Sequence, residues 1–230
     1  VTSKGIEKET GFLLPEIIQE VLGPDSKIAC LSGPSHAEEV IKKLPSSVVL
    51  ASKDEDTRKL VWEAFQNFEF RVYPSADING AAFGGAMKNI IAIACGLGDG
   101  LGFGINFKAA LLTRGLHEIR RLAKFKGCDP QTLNGLAGRG DLCVTCLSPL
   151  SRNYSFGQLL ANGASFEEAK MQIGAVVEGA FCVSSAWELA RKHGIEMPIT
   201  EMMHQILYEG VSSDEAFKQL RERVPKEEHL

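Results

Sequence analysis

The spacing of apolar residues along this chain changes character near residue 76. Before it, short β-rich runs alternate with amphipathic patterns. KIACLS (27–32), SVVLAS (47–52) and FRVY (70–73) predict strands. Spaced apolar residues with acids near their starts predict helices over 14–22, 36–44 and 55–68. Strand, helix, strand at this spacing implies a parallel sheet of crossover units. After residue 76 the strand signals stop. Helical patterns run over 76–96 and 107–127, then over 151–162, 165–173, 178–194, 198–210 and 213–224. Several stop at Gly and start at Ser or Pro, the asymmetry of helix caps. The last residues, PKEEHL, read as a frayed tail. The expected fold class is therefore α/β plus all-α, with a partial parallel sheet over 1–76 and an all-helical domain over 77–230.

A doubly wound nucleotide domain begins with a strand, a GxGxxG turn and a helix whose N-terminus holds a pyrophosphate. No such element occurs here. The glycines of GLGDGLGFG (96–104) match no register of that fingerprint and follow a helical pattern, so they read as a helix exit and turn. GLAGRG (135–140) reads as a tight turn that presents Asp141. The first 76 residues thus predict only the second half of a nucleotide sheet, with an apolar face and edge left uncovered. The chain is expected to be a piece of a longer protein.

At 230 residues the chain can bury one good core or two small ones. A net charge of −4 leaves no basic footprint, which argues against a nucleic-acid partner. The longest uninterrupted apolar stretches fall short of a membrane span, and VTSKGIEKE lacks the apolar core of a signal peptide. A cytoplasmic setting is expected, and six cysteines fit it. Cys30, Cys95 and Cys182 lie in apolar runs and read as small core residues. Cys143 and Cys146 form a CxxC with no second pair at metal-site spacing, so they read as structural and no metal is expected.

Lys88 stands inside GAMKNIIAIACG (85–96), an apolar helical run with Asn89 beside it. A lysine packed against a helix loses hydration, and its pKa falls toward the range of a general acid or base. The same spacing also suits a lysine snorkelling to a surface. Four further segments place polar groups at turns or helix starts: SKG (3–5), SGPSHA (32–37), GDL (140–142) and SRN (151–153). The last combines an N-cap hydroxyl, a guanidinium and free N–H groups, a physical anion site; an ordinary N-cap followed by a surface Arg has the same pattern.

Taken together, SKG, LSGPSHA, GGAMKNIIAIACG, GRGDLCVTC, LSRNYSFG, VVEG and MPIT occur in one order from Ser3 to the last helix. In these motifs the chain resembles the bacterial and plastid-type NAD(P)-dependent glycerol-3-phosphate dehydrogenases. The resemblance implies a Rossmann-like sheet followed by a helical domain like that of 6-phosphogluconate dehydrogenase. It implies NAD or NADP as cofactor and dihydroxyacetone phosphate and sn-glycerol 3-phosphate as substrates, for glycerophospholipid synthesis. By it, Lys88 is the catalytic proton carrier. Lys4, Gly33, Ser35, Lys88, Asp141, Ser151, Arg152 and Asn153 contact the substrate. Lys4, Ala37, Arg152, Val176 and Glu178 contact the cofactor. Asn89 and Thr145 match further polar positions of the family's active site. Tyr154 stands where many members carry a basic residue, which would alter contacts near the phosphate. A homodimer is left open.

Two other readings compete. A β-hydroxyacid dehydrogenase or ketopantoate-type reductase would pair the same two architectures and bind a carboxylate. A non-catalytic oligomerisation or binding fragment would account for the missing fingerprint, but it has no need of Lys4, Lys88, Asp141 and Arg152 converging.

Overall fold

The computed structural model describes residues 1–225 and 227–228, so Lys226, His229 and Leu230 of the expected tail lie outside the described residues. Helix α1 (Leu14–Leu22) starts where Pro15 fits the first turn and Glu16 accepts the Leu13 backbone N–H at 2.7 Å. Strand β1 (Cys30–Ser32), the short helix α2 (Ala37–Ile41), β2 (Ser46–Ala51), α3 (Glu55–Phe65) and β3 (Phe70–Ser75) follow. Asp54 caps α3 by accepting the Thr57 N–H at 2.7 Å.

The three strands form one sheet in the order β1-β2-β3. Strand β2 runs parallel to β3, with Ser46 opposite Phe70 and Ala51 opposite Ser75. Strand β1 runs antiparallel to β2, with Ser32 opposite Val49, so the sheet is mixed where all-parallel crossovers were expected. The reason lies in α2. Its five residues rise only about 7.5 Å, too little to carry the chain back along a strand of ~20 Å.

Pleating then sorts the side chains. Cys30, Ser32 and Ala51 are buried on the face toward the helices, whereas Val48, Leu50 and Val72 form a small cluster on the other face. Beyond that cluster Ile41, Leu60 and Phe68 remain exposed.

Asp77 caps α4 (Ile78–Gly100) by accepting the Gly80 N–H at 2.8 Å. Every residue of α4 from Gly80 to Gly98 is buried, and α5 (Gly104–Phe125), α7 (Asp141–Leu147), α8 (Arg152–Ala161) and α10 (Glu178–Lys192) pack around it. A helix apolar on all sides belongs in a core. By length and composition α4 would also span a membrane, contrary to the expectation that every apolar stretch is too short; here the protein itself surrounds it. Small residues allow the close packing. A Cβ on Gly96 would overlap the carbonyl of Tyr154 on α8, so the two backbones touch there.

The helix extends four residues past the expected exit and turns at 101–103. The remaining elements are α6 (Pro130–Asn134), α9 (Phe166–Ile173), α11 (Pro198–Tyr208) and α12 (Ser213–Glu222). The segment read as a tight turn is a π-helical turn, Leu136–Gly140, continuous with α7. All six cysteines are free. Cys143 is half-buried and Cys146 fully buried, as a structural pair would be.

Candidate active site

Helix α4 carries Lys88 and Asn89 into the interior, where both are buried. Asp141 opens α7, and Thr145 lies one turn on, its hydroxyl donating to the Asp141 carbonyl at 2.6 Å. Ser151 caps α8 by accepting the Tyr154 N–H at 3.2 Å, which places Arg152 and Asn153 in the first turn. Glu178 opens α10. Lys4 reaches in from the N-terminal segment, Gly33 and Ser35 lie in the turn between β1 and α2, and Ala37 opens α2. These residues surround one cavity of about 370 Å³.

Lys88 Nζ lies 2.5 Å from Asp141 Oδ1, and Lys4 Nζ lies 3.9 Å from Asp141 Oδ2. Burial pushes the Lys88 ammonium below the ordinary lysine range; Asp141 opposes that shift and Lys4 reinforces it. Asp141 is almost wholly buried, and its Oδ2 has no hydrogen-bond partner among the described residues. A buried carboxylate oxygen without a donor is costly, and a hydroxyl entering the cavity would satisfy it.

Around this pair the neutral groups are already oriented. Asn153 accepts the Gly179 N–H through Oδ1 at 2.9 Å, which turns its Nδ2 free to donate. Asn89 donates to Glu178 Oε2 at 3.4 Å. At the mouth, Arg152 is exposed and has no ion-pair partner among the described residues. A forked cation beside a helix N-terminus suits a phosphate.

Gly33 needs its residue type. At φ 146°, a side chain would be strained and its Cβ would stand 2.9 Å from the Val48 Cα. The turn therefore lies flat on β2 and faces the cavity with Ser35, whose hydroxyl donates to the Gly33 carbonyl at 3.0 Å.

Two sequence expectations stand apart from this cavity. Val176 is exposed and lies outside the lining, two residues before α10. Tyr154 does not approach the anion end. Its hydroxyl donates to Asp99, and Lys108 pairs with the same carboxylate while lying 5.2 Å from the Tyr154 ring centroid. Tyr154, the third residue of α8, points back into the bundle toward α4 and α5.

The structure also adds residues that sequence reasoning passed over. His36, Glu38, Val144 and Leu150 line the cavity, and His36 Nε2 lies 3.3 Å from the Val144 carbonyl, linking the β1–α2 turn to α7. His36 lay inside a quoted motif, which was the available signal. Among the described residues no group of three His, Cys, Asp or Glu side chains is placed to hold a metal ion.

Similarity to known proteins agrees with this geometry. The family model described as NAD-dependent glycerol-3-phosphate dehydrogenase C-terminus matches residues 77–218, and the corresponding N-terminus model matches residues 1–58. A glycerol-3-phosphate dehydrogenase [NAD(P)+] of Chlamydia pneumoniae is 55% identical over the whole chain, which covers 70% of that relative. One from Protochlamydia amoebophila is equally similar over the same shares. Among solved structures, a glycerol-3-phosphate dehydrogenase of Coxiella burnetii superposes with a TM-score of 0.92 at 43% identity, covering 96% of this chain and 67% of that one. A yeast glycerol-3-phosphate dehydrogenase superposes with a TM-score of 0.83 at 28% identity, covering 95% and 66%. The chain belongs to the NAD-dependent glycerol-3-phosphate dehydrogenase family, oxidoreductases that use NAD(P).

Proposed function

We propose that this chain binds dihydroxyacetone phosphate and carries the proton-transfer chemistry for its reversible reduction to sn-glycerol 3-phosphate, with NAD or NADP, in glycerophospholipid synthesis. The observation that carries this reading is the meeting of Lys4, Lys88, Asp141 and Arg152 around one cavity. Three cations and one buried carboxylate match a substrate with a dianionic phosphate, a polarisable carbonyl and a hydroxyl.

Lys88 holds a proton on Nζ and donates it to the carbonyl oxygen as negative charge develops there; in the oxidative direction the neutral amine accepts it back. Its lowered pKa serves both directions, because burial makes the neutral amine accessible while Asp141 keeps the ammonium aimed. Asp141 accepts from Lys88 through Oδ1 and offers Oδ2 to a substrate hydroxyl. Arg152, the Asn153 amide and the start of α8 bind the phosphate, and that remote binding energy orients the ketone.

On the cofactor side, the Arg152 guanidinium, whose fork can face both anions, and Ala37 at the start of α2 suit the nicotinamide end of an anionic dinucleotide. The described residues include no strand–GxGxxG–helix to cradle its pyrophosphate, so they fit that end only. When bound, the nicotinamide supplies the hydride.

The cytoplasm is the proposed compartment, supported by six free thiols. A homodimer is the proposed assembly, supported by exposed Phe181 and Met171; light scattering in solution tests it.

The test of the function is oxidation of NADH or NADPH driven by dihydroxyacetone phosphate. Lys88→Ala should lower kcat by ~10²–10⁴ with the fold intact. A kcat within a few-fold of the parent would remove Lys88 from the mechanism.

A further inference from the structure

Two buried side-chain polar atoms lack a hydrogen-bond partner among the described residues: Asp141 Oδ2 and Ser32 Oγ. Both lie beside Lys4. Asp141 Oδ2 is 3.9 Å from its ammonium. Ser32 Oγ and the Lys4 Cε stand 2.9 and 3.1 Å from the point where a Cβ on Gly85 would sit, so hydroxyl and lysine stem share the space that this glycine leaves open. The Lys4 ammonium itself makes no hydrogen bond among the described residues, only the long contact to Asp141.

Local structure explains the meeting. Pleating of β1 turns Cys30 and Ser32 toward α4, and Ser32 is the last strand residue before the Gly33 turn. Gly85 is one helical turn before Lys88, and a helical side chain leans back over the preceding turn. Ser32 and Gly85 thus meet the Lys4 stem just behind the cavity lining, beside the corner where Lys4 and Lys88 enter it.

We propose that Ser32 is a positioning residue for Lys4, its hydroxyl accepting from the Lys4 ammonium once a substrate hydroxyl has taken Asp141 Oδ2. A buried hydroxyl held without a partner costs free energy, and a second state in which it is bonded accounts for its presence. Rotation about the last bonds of the Lys4 side chain carries its ammonium from the carboxylate side to the hydroxyl side over the bare Cα of Gly85. Ser32 thereby keeps the second cation beside Lys88 after Asp141 has been engaged. The proposal rests on the assignment of this cavity as the active site.

The test is built so that it does not depend on which substrate the cavity takes. Lysine side chains labelled with ¹³C at Cε are titrated by NMR with saturating glycerol, a plain hydroxyl donor that can engage Asp141 Oδ2, in wild type, Ser32→Ala, Lys4→Met and the double variant. The groups acting on Lys88 are Asp141, Lys4, Glu178 and Cys146, and Lys4 is the one cation among them. Loosening Lys4 should therefore raise the Lys88 midpoint in Ser32→Ala, and the same substitution should have no effect once Lys4 is methionine.

In the dihydroxyacetone phosphate assay, Ser32→Ala should lower kcat/KM about tenfold, the worth of one hydrogen bond to a charged group, with a melting temperature that does not fall. Gly85→Ala, which fills the shared space, should have the same effect. An unmoved Lys88 midpoint, or equal effects of Ser32→Ala with and without Lys4, overturns the proposal. A midpoint shift in a protein inactive on dihydroxyacetone phosphate would keep the Ser32–Lys4 relation and sink the assigned substrate instead.

Discussion

The sheet region and the helical region solve burial differently. In residues 1–75 the sheet's own cluster consists of Val48, Leu50 and Val72, edged by partly buried Leu31, Val61 and Phe70. Its other face borrows its core from α4, because Cys30 and Ala51 pack into the helical cluster. Residues 77–222 centre instead on a single helix buried from Gly80 to Gly98, with Ile90, Ile91, Ile93 and Leu97 fully enclosed. The site inherits this division. Helices α4, α7 and α8 contribute Lys88, Asp141 and Arg152 from a self-sufficient core, whereas the sheet region contributes Lys4 from its N-terminal segment and the turn carrying Gly33 and Ser35. The tightest charged contact of the site, Lys88 to Asp141 at 2.5 Å, lies wholly within the helical region, and the looser one, Lys4 to Asp141 at 3.9 Å, joins the two regions.

The same substitution made in each region separates the two directly. Leu50 in β2 and Leu97 in α4 are both fully buried, and Leu→Ala costs roughly 2–5 kcal/mol at such sites. Leu97→Ala should lower the melting temperature and weaken hydrogen-exchange protection throughout. Leu50→Ala should weaken protection in β1, β2 and β3 and leave the amides of α4 and α5 as they were. Equal loss of protection in both regions from both variants would show that the chain is one cooperative unit.

Much of this division was legible in the sequence. The switch from period-2 runs to long helical patterns near residue 76 coincides with the end of β3 and the start of α4. The span 14–22 matches α1 at both ends, because Pro15 and the Gly23 stop are strong local signals. The antiparallel pairing of β1 was not legible: a helix of five residues and one of nine share the same apolar spacing over one turn. Helices α6 and α7 were also missed, since their glycine-rich approach mimics a loop and their helicity depends on packing against α4. Of the site, the four charged residues were found through motifs. Ser32 was not singled out, because an unsatisfied hydroxyl is a property of the packed interior. Tyr154 was expected to alter contacts near the phosphate because it stands where many family members carry a basic residue, but successive helical residues face different directions.

The helical region carries a vulnerability that the sheet region lacks. Glu118 on α5 is buried, and its carboxylate accepts the Ile199 N–H at 2.6 Å and the Thr200 N–H and hydroxyl at 3.1 Å, capping α11 from a neighbouring helix. Burial outweighs these bonds and pushes its pKa from 4.5 up to about 7. A raised native pKa stabilises the fold while the group is protonated, and that contribution is lost as pH rises from about 4.5 through about 7. The amplitude is on the order of 3 kcal/mol. Asp54 and Glu168, held below the ordinary carboxylate range by hydrogen bonds from Thr57 and Ser165, act oppositely, losing stability only as pH falls. Glu118→Gln should flatten the decline of melting temperature across the neutral window. A decline as steep as that of wild type would place its cause elsewhere.

The smallest expected effect tests how the two regions share the substrate. Arg152, in the first turn of α8, has no other partner to serve among the described residues, so removing it leaves the surrounding structure satisfied. The lost charge-assisted bond is worth roughly 1.5–3 kcal/mol, which raises KM for dihydroxyacetone phosphate about 10- to 100-fold. Activity toward unphosphorylated dihydroxyacetone should barely change, because that ketone has no phosphate to lose. Ser35, on the sheet-region turn, already spends its proton on the Gly33 carbonyl and offers the substrate an acceptor rather than a charge. Ser35→Ala should therefore raise KM only a few-fold, as neutral hydrogen bonds do. Steady-state kinetics of both variants on both ketones decides the matter. If Arg152→Ala weakens the two ketones equally, the guanidinium serves the cofactor or the fold. If Ser35→Ala costs as much as Arg152→Ala, binding is shared evenly, and the contrast between the α8 guanidinium and the neutral Ser35 turn does not hold at this site.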